Sequence, residues 1–95
     1  AGEMVSLEAV EKLAQTISPD GLHAASSQPD ENKGEALVLF TTDEQVNRAT
    51  LQKMAQQLGT PELAVPKKIV HVNELPLLGT GKTDYVTLKR MAEEA

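Results

Sequence analysis

The segment from Glu35 to Thr42 constrains the fold of this chain more than any other. Its centre, Ala36 to Phe40, is a run of consecutive apolar residues in a chain of only 95 residues. A strand with one wet face alternates apolar and polar residues, so a continuous run is typical of a strand covered on both faces. We therefore expect other elements to pack on both sides of a small sheet.

Three segments have the apolar spacing of amphipathic helices. We predict helices from Leu7 to about Ile17, from Asn47 to about Leu58, and from about Tyr85 onward. Side chains that can cap their first backbone N–H groups are Ser6, Asn47, and either Asp84 or Thr83. The apolar stripes are Val10, Leu13, Ala14 and Ile17; Leu51, Met54, Ala55 and Leu58; and Leu88, Met91 and Ala92.

Two further segments complete a predicted three-stranded sheet. Leu22–Gln28 and Lys67–Val72 have strand character, although the first is weak. The short polar loop Pro29–Gly34 favours an antiparallel pair between the first strand and Glu35–Thr42. The order helix, strand, strand, helix, strand, helix predicts a single small α+β sandwich, with an antiparallel hairpin plus one strand and about three helices.

Composition excludes several classes of function. The chain has no cysteine, so disulfides and thiolate metal sites are excluded, and His23 and His71 lack a cluster of metal-ligating partners. A net charge of −5, one Tyr, one Phe and no Trp argue against a nucleic-acid surface. No apolar run is long enough to cross a membrane. We expect a soluble protein without a metal site of its own.

The segment Pro76–Tyr85 places Lys82 at a glycine-rich corner that looks like a nucleotide site. A P-loop requires a glycine five positions before the Gly-Lys pair, so that successive backbone N–H groups can surround the phosphates. That position is Pro76, which has no N–H and a fixed φ. The segment is therefore not expected to be a P-loop.

Both ends of the chain resemble the C-terminal lid domain of the adenylate-forming superfamily, which includes acyl-CoA synthetases, luciferases and peptide-synthetase adenylation domains. The segment Gly2–Glu11 is similar to the stretch that follows the interdomain hinge in that family. The pattern Pro76-x-x-x-x-Gly81-Lys82 is similar to the terminal catalytic-lysine motif. The resemblance covers essentially the whole chain, and it implies the C-terminal lid of a longer AMP-binding enzyme.

Finer features resemble one branch of that superfamily. Glu62–Ile69 and Leu75–Tyr85 look like the acyl-acyl-carrier-protein synthetase module of bacterial 2-acylglycerophosphoethanolamine acyltransferases. The wider superfamily often has an arginine two residues after the lysine, where this chain has Asp84. This departure favours the lysophospholipid-acylating branch over a generic acyl-CoA synthetase.

The resemblance implies a role for six residues. Lys82 is expected to be catalytic, because an ammonium group can bridge an attacking carboxylate and a phosphoryl group. Gly81 would let the backbone approach the nucleotide, while Thr80 is assigned either to a nucleotide contact or to a turn hydrogen bond. Gly2, Glu3 and Met4 lie near the hinge. They would either line the path of the pantetheine arm or form a frayed chain terminus.

The same resemblance implies the partners of this domain. A fatty acid would react with ATP and Mg²⁺ to give an acyl-adenylate, and the acyl group would pass to the phosphopantetheine thiol of acyl carrier protein or to coenzyme A. The ATP loops and magnesium ligands would belong to a large N-terminal domain, so we expect this chain alone to be inactive. The intact enzyme would work at the cytoplasmic face, in association with the inner membrane of a bacterium.

Two alternatives remain open from sequence. One is the lid of a generic acyl-CoA synthetase, and the other is a stand-alone acidic interaction module. In a carrier-protein complex, an acidic partner would have to meet the local cations Lys67, Lys68, Lys89 and Arg90.

Overall fold

The apolar run forms the middle strand of the sheet. The structure is a computed structural model that describes residues 7–30, 34–60 and 64–95. Its elements are α1 (Leu7–Ile17), β1 (His23–Asp30), β2 (Gly34–Thr41), α2 (Arg48–Leu58), β3 (Lys68–His71) and α3 (Tyr85–Glu94). The sheet order is β1-β2-β3. The predicted small α+β fold of three helices and three strands is confirmed.

The sheet consists of the predicted hairpin plus one strand, and the parallel orientation of that third strand makes it mixed. β1 pairs antiparallel with β2, with Ala25 opposite Leu39. β3 pairs parallel with β2, with Ile69 opposite Leu39. A parallel neighbour needs a crossover, and α2 lies in the connection between β2 and β3.

β2 is buried on both faces, as predicted. Leu39 belongs to one core cluster, while its neighbours Val38 and Phe40 belong to another. The first cluster contains side chains of α1 and α2, and the second contains Leu88 and Ala92 of α3. The sheet therefore has helices on each side, and α3 alone covers the face opposite α1 and α2.

The predicted apolar stripes of the helices are buried or half-buried except at Leu58, which is 52% exposed because it lies at the end of α2. Val10, Leu13 and Ala14 are buried, so α1 presents its stripe to the sheet; its predicted cap, Ser6, lies outside the described residues. α2 begins at Asn47, whose side chain accepts from the Thr50 N–H at 3.0 Å while the Thr50 hydroxyl accepts from the Asn47 N–H at 2.9 Å.

α2 ends where the sequence indicates. Gly59 follows its last residue with a φ of 71°, a left-handed conformation that glycine adopts at little cost. The next N–H, that of Thr60, donates to the carbonyl of Ala55 at 2.8 Å. This bond satisfies one of the free carbonyl groups in the last turn of the helix.

β1 extends further than predicted, through Pro29 and Asp30, which pair with Glu35 and Gly34. The polar, turn-forming residues of Pro29–Gly34 predicted a loop there, and a proline cannot donate to a ladder. In the structure β1 is an edge strand, and the bond from the Thr42 N–H to the Leu22 carbonyl sets which of its groups face β2. Pro29 lies in the outward-facing set, so its missing N–H removes no ladder bond.

Side chains cover the outer edge of β1. Glu11 accepts from the Ala25 N–H at 2.8 Å, and Lys89 donates to the Ser27 carbonyl at 2.8 Å. Unpaired edge groups favour pairing with another chain, and these contacts block them. α1 and α3 are thereby attached to the sheet by polar contacts as well as by the core.

None of the helices in residues 7–30, 34–60 and 64–95 has the length and apolar content needed to cross a membrane.

Replacing Asn47 with alanine should lower the free energy of unfolding by about 1 kcal/mol, because the Thr50 N–H loses its acceptor. The substitution Asn47→Ser keeps a capping oxygen and is the matched control, for which a much smaller loss is expected. Chemical denaturation of each purified variant measures the difference. Equal midpoints for Asn47→Ala and the parent would show that the capping box contributes nothing.

Candidate functional site

The glycine-rich corner is a small β-hairpin between β3 and α3. The N–H of Leu78 donates to the Lys82 carbonyl at 2.7 Å, and the N–H of Asp84 donates to the Pro76 carbonyl at 2.9 Å. Between these two bonds lies a bridge that pairs Leu77 with Thr83. The two arms of the hairpin are therefore in register from its base to its tip.

A three-residue turn closes the hairpin. The N–H of Gly81 donates to the Leu78 carbonyl at 2.9 Å, and Gly81 has a φ of 91°. Three-residue hairpin loops commonly combine a type I turn with a left-handed residue, which is usually glycine. Gly81 is thus required by the turn itself, in addition to any approach to a nucleotide.

The tip of the hairpin projects away from the rest of the domain. Residues 77–82 are all exposed. A Cβ atom added at Gly79 or Gly81 would meet nothing within 4 Å. Space therefore does not restrict either position, and only Gly81 is restricted by its backbone conformation.

Lys82 lies directly after this turn, at the start of the second arm. Its side chain is exposed, and no described residue forms an ion pair or a hydrogen bond with its ammonium group. The structure thus presents a cation that follows a hydrogen-bonded turn and is not neutralised by the described part of its own domain. Such a group is suited to an anionic partner.

Of the other predicted site residues, some lie beside Lys82 and some lie outside the described residues. Thr80 and Gly81 lie in the turn beside Lys82, and Thr83 lies opposite Leu77. Gly2, Glu3 and Met4 lie outside the described residues, so the assignment near the hinge stays a prediction.

Asp84 connects the hairpin to α3. It is the N-cap of that helix, accepting from the Thr87 N–H at 3.1 Å and from the Thr87 hydroxyl at 2.8 Å. These bonds, the backbone one first, hold the pKa of the Asp84 carboxyl below its ordinary value. Of the two predicted caps, Asp84 and Thr83, the structure selects Asp84.

A second connection joins the base of the hairpin to α1 and the sheet. The Tyr85 hydroxyl donates to Glu11 Oε2 at 2.7 Å, and the same oxygen accepts from the Ala25 N–H at 2.8 Å. The Glu11 carboxylate thus links α1, β1 and α3. Its contact on α3 is Tyr85, which lies three residues after Lys82. No local sequence pattern indicates this contact, since Glu11 and Tyr85 are 74 positions apart.

The environment of Tyr85 favours its neutral phenol. Burial is the largest cause and the hydrogen bond to Glu11 the next, and together they raise the pKa of Tyr85 from 10.0 to about 12. A raised pKa stabilises the folded state fully at pH values below the unfolded pKa. That contribution is lost as pH rises through the folded value.

A polar cluster at the other end of β1 has a structural role. The Ser18 hydroxyl donates to Asp43, and this bond is the main reason that the pKa of Asp43 is lowered. His23 contacts the Thr41 hydroxyl through Nδ1 at 2.8 Å and the Ser18 carbonyl through Nε2 at 2.9 Å. Within the described ranges, no group of three acidic or histidine side chains could hold a metal ion.

Two of the four cations predicted to meet an acidic partner are bound internally. Lys67 forms an ion pair with Asp30 at 2.9 Å, and Lys89 donates to Ser27. Lys68 and Arg90 are exposed. The structure therefore leaves less free positive charge for an acidic partner than the sequence suggests.

Comparison with known proteins identifies the family. Residues 8–82 match the model of the AMP-binding enzyme C-terminal domain, and the match ends on Lys82. The chain belongs to this family. Adenylate-forming enzymes generally use ATP and Mg²⁺. The finer resemblance to an acyl-carrier-protein synthetase is not tested by this match.

Two proteins are similar over nearly the whole of this chain. Triostin synthetase I of Streptomyces triostinicus is 31% identical over 94 residues, which cover 97% of this chain and 18% of that protein. The vibriobactin-specific 2,3-dihydroxybenzoate-AMP ligase of Vibrio cholerae is 29% identical, over 94% of this chain and 17% of that protein. The chain spans less than a fifth of the length of these relatives.

Solved structures have the same fold. The apo structure of Mycobacterium smegmatis MbtA matches with a TM-score of 0.81 and 29% identity, over 95% of this chain and 18% of that chain. A Mycobacterium tuberculosis fatty acyl CoA synthetase matches with a TM-score of 0.80 and 23% identity, over 98% of this chain and 19% of that chain. At 23% identity, the second match shows the fold alone.

Gly81→Ala should destabilise the hairpin by about 1 kcal/mol, because a residue with a Cβ atom is strained at a φ of 91°. Faster amide hydrogen exchange at Leu78, whose N–H closes the hairpin, measures the change. Gly79→Ala is the matched control: Gly79 has equally open space but no positive φ, so exchange should stay near the parent rate. Equal exchange in the two variants would contradict the conformational role of Gly81.

The Tyr85 phenol should titrate near pH 12 in the folded domain. Tyr85 is the only tyrosine and there is no tryptophan, so the ultraviolet absorbance of tyrosinate reports this one group. The substitution Glu11→Gln removes the negative charge that opposes ionisation, and it should move the midpoint part of the way toward the ordinary value. A midpoint unchanged by Glu11→Gln would contradict the contribution of Glu11.

Proposed function

We propose that this chain is the C-terminal lid of a fatty-acid-activating enzyme and that Lys82 is its catalytic cation. The observation that carries the proposal is the exposed Lys82 ammonium, without a partner among the described residues, on a hairpin fixed to the domain by Asp84 and Tyr85. The hydrogen bonds at the base of the hairpin fix where the lysine leaves the domain, as is needed for a residue that acts at a defined point in another domain.

The first half-reaction requires charge compensation. A fatty-acid carboxylate oxygen attacks the α-phosphorus of ATP, forming an acyl–oxygen–phosphorus bond and breaking the bond to pyrophosphate. Both reactants are anionic, so a cation placed between them lowers the barrier most as negative charge develops on the phosphoryl oxygens. Lys82 has three donors on a flexible stem and can bridge the carboxylate and the phosphate.

The second half-reaction would move the acyl group to a phosphopantetheine thiol. The sulfur attacks the acyl carbon, the carbon–oxygen bond to AMP breaks, and the thiol proton is released. Here the leaving group is a stable phosphate monoester anion, so the need for Lys82 is smaller. In the family the lid rotates between the two steps, which would remove Lys82 from the pocket.

The magnesium ion and the acyl pocket are assigned to a large N-terminal domain of the same enzyme. No group of carboxylates within the described residues is arranged to hold Mg²⁺. The relatives are more than five times longer than this chain, which supports a second, larger domain. When bound there, Mg²⁺ would neutralise phosphate charge, while Lys82 would contribute the movable cation.

We further propose that the acceptor is acyl carrier protein and that the acyl group serves the reacylation of 2-acylglycerophosphoethanolamine. The support is the segment Leu75–Tyr85, with Asp84 where the wider superfamily often has arginine. Asp84 also has a structural use as the α3 cap. Coenzyme A as the acceptor is the competing proposal for the same site.

In the intact enzyme, Lys82→Ala should lower adenylation by at least ~10²-fold, the scale of losing one well-placed transition-state donor. Pyrophosphate release with ATP and fatty acid measures the first step, and transfer from supplied acyl-adenylate to the thiol measures the second. The second step should change far less. Lys53→Ala, which removes an exposed lysine on α2, is the matched control and should leave both steps unchanged.

Equal losses in the two half-reactions would contradict this division of labour. The 95-residue chain alone should release no pyrophosphate, and release would show that it contains a complete site. Running the transfer step with carrier protein and then with coenzyme A decides between the two acceptors.

A further inference from the structure

The hairpin that carries Lys82 also exposes two adjacent leucines. Leu77 has 55% and Leu78 has 47% of its surface accessible. Both are large apolar residues on a projecting tip, where a polar residue would cost nothing. Whether either leucine can act together with Lys82 depends on which face of the hairpin it occupies.

The register of the hairpin separates the two leucines. Leu78 is hydrogen-bonded across the hairpin to Lys82, while Leu77 is paired with Thr83. Residues directly opposite each other in an antiparallel pair lie on the same face, and successive residues lie on opposite faces. Leu78 therefore shares a face with Lys82, and Leu77 lies on the other face with Thr83.

We propose that Leu78 is a positioning residue for Lys82, which it shields from water when the hairpin docks against the large domain for adenylation. The occupant of this face is the apolar rim of the adenylate pocket in that domain. This inference rests on the proposed function, since it assigns Lys82 to the pocket. The new element is that Lys82 enters the pocket with the apolar side chain of Leu78 beside its methylene stem.

The physical reason is the dielectric around the ammonium group. An interaction between Lys82 and two anions is weak while water surrounds it and strengthens when water is excluded. Lysine places its methylene stem along apolar surface while its charge extends further. Leu78 supplies such a surface next to the stem, and it keeps water away from the ammonium group while the hairpin is docked.

The Leu78 face is chosen for docking, and not the Leu77 face, because Leu78 is on the same face of the hairpin as Lys82. No described part of the domain covers the tip, because residues 77–82 are all exposed and open space surrounds Gly79 and Gly81. When Lys82 enters the pocket, Leu78 must approach the pocket as well, because the two residues are on one face of the hairpin. Leu77, of similar exposure, turns away from the pocket and provides an internal control.

The test compares Leu78→Ser with Leu77→Ser in the intact enzyme. Leu78→Ser should lower kcat for adenylation about fivefold to tenfold, the effect of losing burial of roughly half a leucine. The KM for ATP and the transfer from supplied acyl-adenylate should stay within about twofold of the parent, the scatter of ordinary surface substitutions. Leu77→Ser should change neither step, and Leu78→Met, which keeps an apolar side chain, should restore most of the rate.

Three outcomes would overturn the inference. Parent-like adenylation in Leu78→Ser would show that the side chain is not used. An equal loss in Leu77→Ser would show that the face is not selected. A loss confined to the transfer step would show that this face meets the thiol-bearing partner. Thermal unfolding of each variant confirms that the domain still folds.

A double-mutant cycle separates this inference from the proposed function. If Leu78 acts through Lys82, Leu78→Ser should lower adenylation no further in a Lys82→Ala enzyme. An independent further loss would overturn the positioning role. If Lys82→Ala itself leaves adenylation intact, the proposed function fails. If Lys82→Ala abolishes adenylation and Leu78→Ser has no effect, only the role of Leu78 fails.

Discussion

Burial of β2 on both faces is the constraint on which the rest of this domain depends. Leu39 packs toward α1 and α2, and Val38 and Phe40 pack toward α3. A chain of this length forms only a modest core, so it cannot leave either face of its central strand uncovered. α3 is consequently essential to the fold, and the hairpin that carries Lys82 must enter that helix.

This arrangement fixes the hairpin of the proposed catalytic lysine relative to the core of the domain. Asp84 starts α3, and Tyr85 binds the Glu11 carboxylate, which also holds the edge of β1. The base of the hairpin is thus joined to every layer of the fold, while open space surrounds Gly79 and Gly81 at its tip. A hydrogen-bonded base with an exposed tip suits a residue that acts at a site outside its own domain.

The described cations fall into two groups. Lys67 and Lys89 hold the sheet edge and its neighbours, while Lys82 and the exposed Lys68 and Arg90 form no ion pair with a described residue. Free cations of this kind suit a docking module as well as a lid. The family match to the AMP-binding enzyme C-terminal domain, and not the charge distribution, favours the lid.

Local patterns were enough to predict most elements. The run Ala36–Phe40 predicted a doubly covered strand, and Asn47 and Gly59 marked the ends of α2, because periodicity and capping are local. Lys82 became the candidate residue through the family resemblance of its motif. The tertiary structure alone decided three other features. Pro29 joins β1 because that strand lies at an edge, Glu11 meets Tyr85 across 74 positions, and Leu78 shares a face with Lys82. Each depends on pairing or register between segments, and no local pattern contains that information.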